Sequence, residues 1–113
     1  NGNVAYSYNI AAIPTNVKNT REIPTTFDLK QNYPNPFNPE TQIKYSIPFA
    51  SNVQLKIYDI LGREIITLVN EFQQPGFYSV SFSSRKLSLP SGIYFYRITS
   101  GNYFKNMKMM YLK

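Results

Sequence analysis

The chain has 113 residues, which is enough for one domain of ordinary size and too few for two full hydrophobic cores. Histidine and cysteine are both absent, and their absence excludes the usual catalytic base, thiol nucleophiles, disulfides and Cys/His zinc sites. The chain contains ten tyrosines, eight phenylalanines and eight prolines, but only six acidic residues. This composition is typical of a β-rich binding or structural module, and we expect it to need no cofactor.

The net charge of +6 is distributed unevenly along the chain. Residues 1–83 contain six basic and six acidic side chains, whereas residues 84–113 contain six basic side chains and no acid. We expect the basic segment to attract anionic surfaces such as acidic proteins, lipopolysaccharide or nucleic acid. No apolar run approaches the roughly 20 residues of a transmembrane helix, and the first residues lack the layout of a signal peptide. An exported protein would therefore need a longer parent chain.

The first 26 residues are predicted to form an extended arm. Val4, Tyr6, Tyr8 and Ile10 alternate with small or polar residues, which indicates one half-buried strand without a nearby hairpin partner. Residues 13–26 lack periodicity and contain two prolines, as linkers do. We interpret residues 1–12 as the last strand of a preceding domain; the alternative is a donor strand that adds to a neighbouring sheet edge. The module proper is expected to begin at Phe27.

A proline-rich segment, residues 31–39, follows the linker. Its three prolines exclude a helix or a central strand, so we predict a rigid, shaped loop. Asn35 and Asn38 are expected to form side-chain-to-backbone turns, and Tyr33 and Phe37 are expected to insert into the core.

Short strands are predicted from residue 43 onward. Apolar residues alternate with polar ones in residues 43–47, 53–57 and 77–83, as in half-buried antiparallel strands. Residues 59–63 are predicted to form a hairpin turn around Gly62, and Pro75-Gly76 indicates a type II turn. Residues 93–99 should pair with residues 103–112 through Gly101-Asn102.

The segment between residues 60 and 69 partly fits the apolar face of a helix. Gly62, the β-branched pair Ile65-Ile66 and its short length favour a strand instead. The whole pattern predicts an all-β sandwich of about seven short strands.

Two groups of residues resemble chemical sites in their residue types and spacing. Asp59 and Glu64 flank one turn, but they are expected to be exposed and to pair with Arg63 and Lys56 rather than to act as a catalytic pair. Basic and aromatic residues interleave between residues 94 and 105, as they do in proteins that bind single-stranded nucleic acid. Because at least one aromatic face of these strands must be core, we favour a protein-docking surface and expect no nucleic-acid partner.

Four segments, taken together, resemble a known family. Residues 29–41 resemble the opening L-x-x-N-Y-P-N-P-F-N-P-x-T of the type A C-terminal sorting domain of proteins exported by the bacterial type IX secretion system. Residues 57–64 are similar to its V-Y-D-x-x-G-R-E turn, and residues 91–97 are similar to its S-G-x-Y-F-Y-R strand. Residues 108–113 are similar to its K-M-x-x-x-K terminus. The resemblance covers residues 27–113.

The resemblance implies an Ig-like antiparallel β-sandwich without enzymatic activity. Such a domain directs its cargo through the periplasm of a Gram-negative bacterium to the type IX outer-membrane translocon. A sortase-like peptidase commonly cleaves near the start of the domain, here within residues 13–26. The cargo is then secreted, or it is joined to anionic lipopolysaccharide at the cell surface.

Candidate recognition residues lie in the last two predicted strands. We expect contact with the translocon through Tyr94, Tyr96, Lys105, Lys108 and Lys113. The alternative is that the tyrosines belong to the core, which we favour, and that the lysines only keep an edge strand soluble. The structural motif comprises Tyr33, Pro34, Asn35, Pro36, Phe37, Asn38, Pro39, Asp59, Gly62, Arg63 and Gly92.

A second hypothesis is a retained structural or adhesive module of the cell surface. Such a module would bind a neighbouring subunit or a glycan through residues 1–26 or through exposed aromatic side chains. The mass of the mature protein distinguishes the two hypotheses, because a cleaved sorting signal is lost and a structural subunit keeps all of its residues.

Overall fold

A computed structural model describes residues 23–113 of the chain, and the predicted strand in residues 1–12 and most of the linker lie outside this range. The described residues form seven β-strands in two antiparallel sheets and contain no helix, which confirms the predicted all-β sandwich. The strands are β1 (Asp28–Leu29), β2 (Glu40–Ile47), β3 (Ser51–Tyr58), β4 (Glu64–Gln73), β5 (Gly76–Ser83), β6 (Gly92–Ser100) and β7 (Tyr103–Tyr111).

The two sheets exchange strands along the chain. The three-stranded sheet has the order β1-β2-β5, and the four-stranded sheet has the order β4-β3-β6-β7. The connections β2–β3, β4–β5 and β5–β6 therefore cross from one sheet to the other, whereas β3–β4 and β6–β7 are hairpins. Because β7 is the last strand in its sheet, one of its sides is an edge.

The core is formed by the inward-facing residues of both sheets. The predicted alternations hold, because the apolar residues of β2 and β3 are buried and their polar neighbours point outward. The buried apolar side chains are Leu29, Phe37, Ile43, Tyr45, Ile47, Val53, Leu55, Ile57, Phe82, Tyr94, Tyr96, Ile98, Met109 and Tyr111. Tyr94 and Tyr96 are thus core residues, which agrees with the favoured prediction that these tyrosines are buried.

Strand β4 explains the helix-like pattern in residues 60–69. Its register with β3 shifts between Leu55 and Lys56 and again between Ile57 and Tyr58. Each irregularity interrupts strict alternation, so that the pairs Ile65-Ile66 and Leu68-Val69 are all partly buried against the core. The preference for a strand over a helix is confirmed.

The predicted type II turn at Pro75-Gly76 is wrong. Gly76 is the first residue of β5, lies opposite Ile47 and does not have the positive φ that the third residue of a type II turn requires. The reason is that the chain crosses here between sheets and forms no hairpin. Gly62, by contrast, has φ +84° in the predicted turn between β3 and β4.

The chain enters the sandwich at the end where β7 begins. Phe27 stacks on Tyr103 with 4.5 Å between ring centroids, and it meets the ring of Phe49 edge-on at 6.1 Å. Tyr111 lies eight residues further along β7, which is about 27 Å away in an extended strand. Phe27 therefore lies far from the end of β7. No helix long and apolar enough to cross a membrane occurs in residues 23–113.

Candidate functional site

The four segments that carry the family resemblance meet at one end of the sandwich, which we call the motif end. Strand β3 finishes there, with Tyr58 opposite Phe95 of β6. Strand β6 begins there, with Gly92 opposite Tyr111 of β7, and Phe37 of the proline loop forms a bridge with that same Tyr111. The loop of residues 31–39, the turn of residues 59–63, the start of β6 and the end of β7 are therefore neighbours in space.

The proline loop closes the edge of β7 at the motif end. The Phe37 backbone N–H donates to the Met110 carbonyl oxygen at 2.9 Å, and the Leu112 N–H donates to the Phe37 carbonyl oxygen at 3.2 Å. The Met110 N–H donates to Asn35 Oδ1 at 2.9 Å, and Gln31 Nε2 donates to the Lys108 carbonyl oxygen at 2.7 Å. The loop thus acts as a short neighbour strand for the last part of β7. Asn35 bonds across to β7, not to its own loop as predicted.

Phe37 fixes the loop to the core. Its side chain is only 1% exposed and contacts the rings of Phe82 at 5.7 Å and Tyr111 at 5.1 Å between centroids. The predicted insertion of Phe37 into the core is confirmed. Edge-to-face and tilted aromatic contacts of this kind add to the free energy gained from burial.

Tyr33 does not insert into the core, because its side chain is 80% exposed. Its backbone pairs with Gln42 of β2 through hydrogen bonds of 2.9 and 3.0 Å, so the chain is extended at this point. Neighbouring residues of an extended chain point to opposite sides. The preceding residue, Asn32, takes the inward position, and this leaves Tyr33 facing solvent.

Asn32 is the buried polar residue that the sequence reasoning missed as a site residue. Its Nδ2 donates to Thr41 Oγ1 at 2.9 Å and to the Pro34 carbonyl oxygen at 3.1 Å, while its Oδ1 accepts from Gln31 Nε2 at 2.7 Å. Thr41 Oγ1 also donates to the Pro34 carbonyl oxygen at 2.9 Å. These bonds hold the loop on β2. The signal was present in the motif itself, which contains both Asn32 and Thr41.

The remaining motif residues of the loop lie on its outer side. The peptide bonds before Pro34, Pro36 and Pro39 are cis. Pro34, Pro36 and Asn38 are exposed, whereas Pro39 is half-buried and its carbonyl oxygen accepts the Ser84 N–H at 2.9 Å.

Asp59 organises the turn between β3 and β4. Its Oδ1 accepts the N–H groups of Leu61 and Arg63, each at 2.9 Å, and its Oδ2 accepts Arg63 Nε at 2.7 Å. The backbone N–H of Arg63, above all, lowers the pKa of the Asp59 carboxyl. The ordered turn presents Ile60 and Leu61 to solvent, with exposed fractions of 68% and 73%.

The second carboxylate near the turn is also engaged in pairing. Glu64 accepts from Thr67 Oγ1 at 3.0 Å and from Lys56 Nζ at 3.2 Å, and these contacts lower its pKa. Asp59 and Glu64 therefore form the predicted ion pairs with Arg63 and Lys56. Residues 23–113 contain no cluster of three acidic, histidine or cysteine side chains that could hold a metal ion.

Tyr94 and Tyr96 support the site from inside the sandwich. The Tyr94 hydroxyl donates to the Pro90 carbonyl oxygen and the Tyr96 hydroxyl donates to the Lys30 carbonyl oxygen, each at 2.6 Å. Burial raises the pKa of Tyr94, and burial raises the pKa of Tyr96 to about 12. Both hydroxyl groups thus fix the loops that flank the motif end.

The three candidate lysines lie in different environments. Lys105 faces inward near the start of β7, with Nζ 3.7 Å from Asp28 Oδ1. Lys108 is exposed on the outer face of β7. Lys113 is exposed at the motif end, where its backbone N–H donates to Ser91 Oγ at 2.8 Å. The structure therefore brings Lys108 and Lys113 to the motif end and leaves Lys105 near the opposite end.

Comparisons with known proteins agree with this architecture. The family model described as "Secretion system C-terminal sorting domain" matches residues 31–112. Among solved structures, the dimeric latent PorU of Porphyromonas gingivalis superposes with a TM-score of 0.58 at 16% identity, and the match covers 73% of this chain and 9% of that chain. This chain thus spans less than a tenth of the length of the PorU chain, and at this identity the likeness concerns the fold alone. No curated protein sequence matches at a significant level.

The family match covers most of the chain and includes all four segments at the motif end. Domains of this family are non-catalytic type IX sorting signals, which imply export through the Gram-negative outer membrane to the cell surface or the extracellular space. The chain belongs to the family of type IX secretion system C-terminal sorting domains.

Proposed function

We propose that this chain targets an exported cargo protein to the type IX outer-membrane translocon, which recognises it at the motif end. The observation that carries the proposal is the convergence of four sequence segments, which lie far apart in the chain, around the end of β7. Packing of the hydrophobic core does not explain why an ordered turn exposes Ile60 and Leu61, or why the proline loop exposes Tyr33.

The charged contacts of this surface come from Lys108 and Lys113. Both side chains are exposed, and neither forms an ion pair within residues 23–113. Tyr94 and Tyr96 contribute indirectly, because their buried hydroxyl groups hold the segments next to the surface. Lys105 contributes through its ion pair with Asp28, which links β7 to β1. In this proposal Lys108 and Lys113 contact the translocon, while Tyr94, Tyr96 and Lys105 hold the neighbouring segments in place.

The cargo is attached at the other end of the sandwich. Since the chain enters beside Tyr103, about 27 Å along β7 from Tyr111, a cargo domain and the translocon can occupy opposite ends. This separation supports cleavage by a sortase-like peptidase within residues 13–26 while the motif end stays bound. Release of the cargo or its attachment to anionic lipopolysaccharide would follow that cleavage.

An export assay tests the proposal. A Sec-targeted fluorescent reporter is fused in front of the full 113-residue chain and expressed in a host with a working type IX system. A second fusion lacks residues 108–113, and a control fusion carries Lys44→Glu, a charge change on the exposed face of β2. Reporter fluorescence is measured in the medium, on cells and in the periplasm.

We expect the full chain and the Lys44→Glu control to be exported and the shortened chain to remain in the periplasm. The mass of the exported reporter then reports cleavage, because a cleaved product lacks most of the 113 residues. Periplasmic retention of the full chain would contradict the sorting function. It would favour a retained structural module, whose mature mass includes the whole chain.

A further inference from the structure

Strand β7 has one uncovered stretch of edge. Backbone groups of alternate residues point to the same side of a strand, and Met110 and Leu112 point theirs toward the proline loop. Phe104, Asn106 and Lys108 must therefore present their N–H groups to that same side. Within residues 23–113 no hydrogen bond reaches these three N–H groups, and the loop occupies only the Lys108 carbonyl oxygen. We call residues 104–108 the open edge.

A guanidinium group lies above the open edge. Arg97 is opposite Asn106 in the adjacent strand β6, and its Cζ lies 4.5 Å from the ring centroid of Phe104. This stacking draws the guanidinium over β7. Arg97 Nε is buried and has no hydrogen-bond partner among the described residues, and the side chain forms no ion pair there. A buried donor of this kind favours an incoming acceptor.

The surroundings of the open edge are basic. The Lys108 side chain lies on the same outer face as Phe104 and Asn106, and it is exposed. The acids around these strands are already paired. Asp59, which shares a surface cleft with Arg97 and Asn106, binds Arg63. Asp28 binds Lys30 and Lys105, and Glu64 binds Lys56. The positive charge of Arg97 and Lys108 is therefore available to a partner.

We propose that the open edge accepts an extended acidic segment of the translocon as an added β-strand. This inference rests on the proposed function and names the chemistry of the partner. The free N–H groups of Phe104, Asn106 and Lys108 pair with a peptide backbone, together with the free carbonyl oxygens of Phe104 and Asn106, as in other cases of strand addition. A carboxylate on the outer face of the added strand reaches Arg97, whose planar donors match a carboxylate in two parallel hydrogen bonds.

Charge complementarity selects this occupant over a second copy of the chain. Two open edges placed side by side would bring the Lys108 side chains of both copies to one seam, along with the Arg97 guanidinium groups that lie over β7, and like charges close together are unfavourable. An anionic polysaccharide could neutralise the charge but has no backbone that matches the alternating donors and acceptors of a strand. The proline loop limits the docking to the first half of β7, since it already occupies the second half.

Hydrogen exchange of the full 113-residue chain with synthetic peptides tests the proposal. The probe is an extended peptide of about ten residues that alternates Glu and Val, and its matched control alternates Gln and Val. We expect the Glu peptide to bind about tenfold more tightly at low salt. The bound Glu peptide should slow exchange at Phe104, Asn106 and Lys108 about tenfold, with a smaller change at Met110 and Leu112, which are already bonded.

Equal affinity for the two peptides, or binding without slower exchange at the open edge, would overturn the proposal. Slower exchange at these residues that depends on protein concentration without peptide would indicate a second copy instead. The same slowing by purified lipopolysaccharide would overturn the strand-addition mode. Arg97→Gln should reduce binding of the Glu peptide to the level of the Gln peptide.

Export of reporter fusions separates this inference from the proposed function. Asn106→Pro removes an outward N–H that does not bond to β6, so the fold is expected to tolerate it, and Asn106→Ala is the control. Thermal unfolding checks that tolerance, and Arg97→Gln replaces the proline variant in the assay if the proline variant unfolds.

We expect normal export of the wild-type fusion and of the Asn106→Ala fusion, and about tenfold less export of the Asn106→Pro fusion. Unchanged export of the proline and Arg97→Gln variants, with a functional wild type, would overturn strand addition alone. Retention of the wild type would overturn the sorting function, and the peptide measurement would still decide the binding mode.

Discussion

At the scale of single residues, Asn32 holds the proline loop on β2. It is only 2% exposed, and its amide group connects Gln31, Pro34 and Thr41. A buried amide is favourable only when its donors and acceptors are paired, and here they are. The same bonds turn Tyr33 outward, so one side chain determines both the anchorage of the loop and the aromatic group that it exposes.

Replacement of Asn32 by alanine should destabilise the domain. The variant loses the bonds to Thr41 and Pro34 and leaves the buried Thr41 Oγ1 without its donor, whereas the Pro34 carbonyl oxygen keeps the bond from Thr41. This loss costs about 1–3 kcal/mol of the free energy of unfolding. Urea denaturation measures the loss. The matched control is Asn38→Ala, an exposed asparagine of the same loop, for which we expect a change within about 0.5 kcal/mol. Equal losses in the two variants would contradict the role given to Asn32.

At the scale of secondary-structure elements, the proline loop pairs with the last part of β7. The loop satisfies backbone groups of Lys108, Met110 and Leu112 that a sheet edge otherwise leaves open. Phe37 anchors this pairing because its ring is packed between Phe82 and Tyr111. Removal of the ring should therefore loosen the end of β7 as well as the loop.

Phe37→Ala is expected to lower the free energy of unfolding by about 3–5 kcal/mol, as other buried phenylalanine truncations do. The informative measurement is amide hydrogen exchange at moderate temperature, in which Met110 and Leu112 should exchange faster while the centre of β6 stays protected. Tyr33→Ala is the control, since its side chain is exposed and its backbone bonds remain. Unchanged exchange at Met110 in a folded Phe37→Ala variant would contradict the pairing.

The sequence predicts β2, β3 and β5 well because each has one buried face. Alternation in β2, β3 and β5 identifies both the strand and its inward residues. The pairing of the loop with β7 could not be predicted in this way, because it joins Gln31 and Asn35 to residues more than 70 positions away. The turn preference of the Pro75-Gly76 dipeptide also gives a wrong prediction, because the chain has to cross between the two sheets at this point.

At the scale of the whole molecule, the sandwich separates two ends with different contacts. The chain enters beside Tyr103, and the four motif segments meet around Tyr111. Between them lies a core in which tyrosine hydroxyl groups are buried and hydrogen-bonded, notably Tyr45 to Gln73 and Tyr96 to Lys30. The stability of the whole sandwich should therefore depend on the protonation of these two groups.

The free energy of unfolding should fall above pH 10. Burial raises the pKa of both Tyr45 and Tyr96 to about 12, above the ordinary value of 10.0 that applies in the unfolded chain. Their stabilising effect is thus complete below pH 10 and is lost as the pH rises toward 12, by up to about 2–3 kcal/mol for each group. Urea denaturation between pH 8 and pH 11 measures the slope.

Tyr96→Phe should reduce the alkaline slope, because the titrating hydroxyl is absent. It should also cost about 1 kcal/mol at neutral pH, since its bond to the Lys30 carbonyl oxygen is lost. Tyr33→Phe, at an exposed position, should change neither quantity. An alkaline slope that is the same in Tyr96→Phe and the wild type would contradict a raised pKa for Tyr96.

Recognition at the motif end is tested most directly by reversal of its two exposed lysine charges in the reporter fusion. Lys108→Glu with Lys113→Glu changes the surface without removing a core side chain, and a Lys44→Glu fusion controls for charge reversal elsewhere. Reporter in the medium and on cells is compared with reporter in the periplasm. Recognition at the motif end predicts periplasmic retention of the double variant and normal export of the control. Normal export of a folded double variant would contradict it.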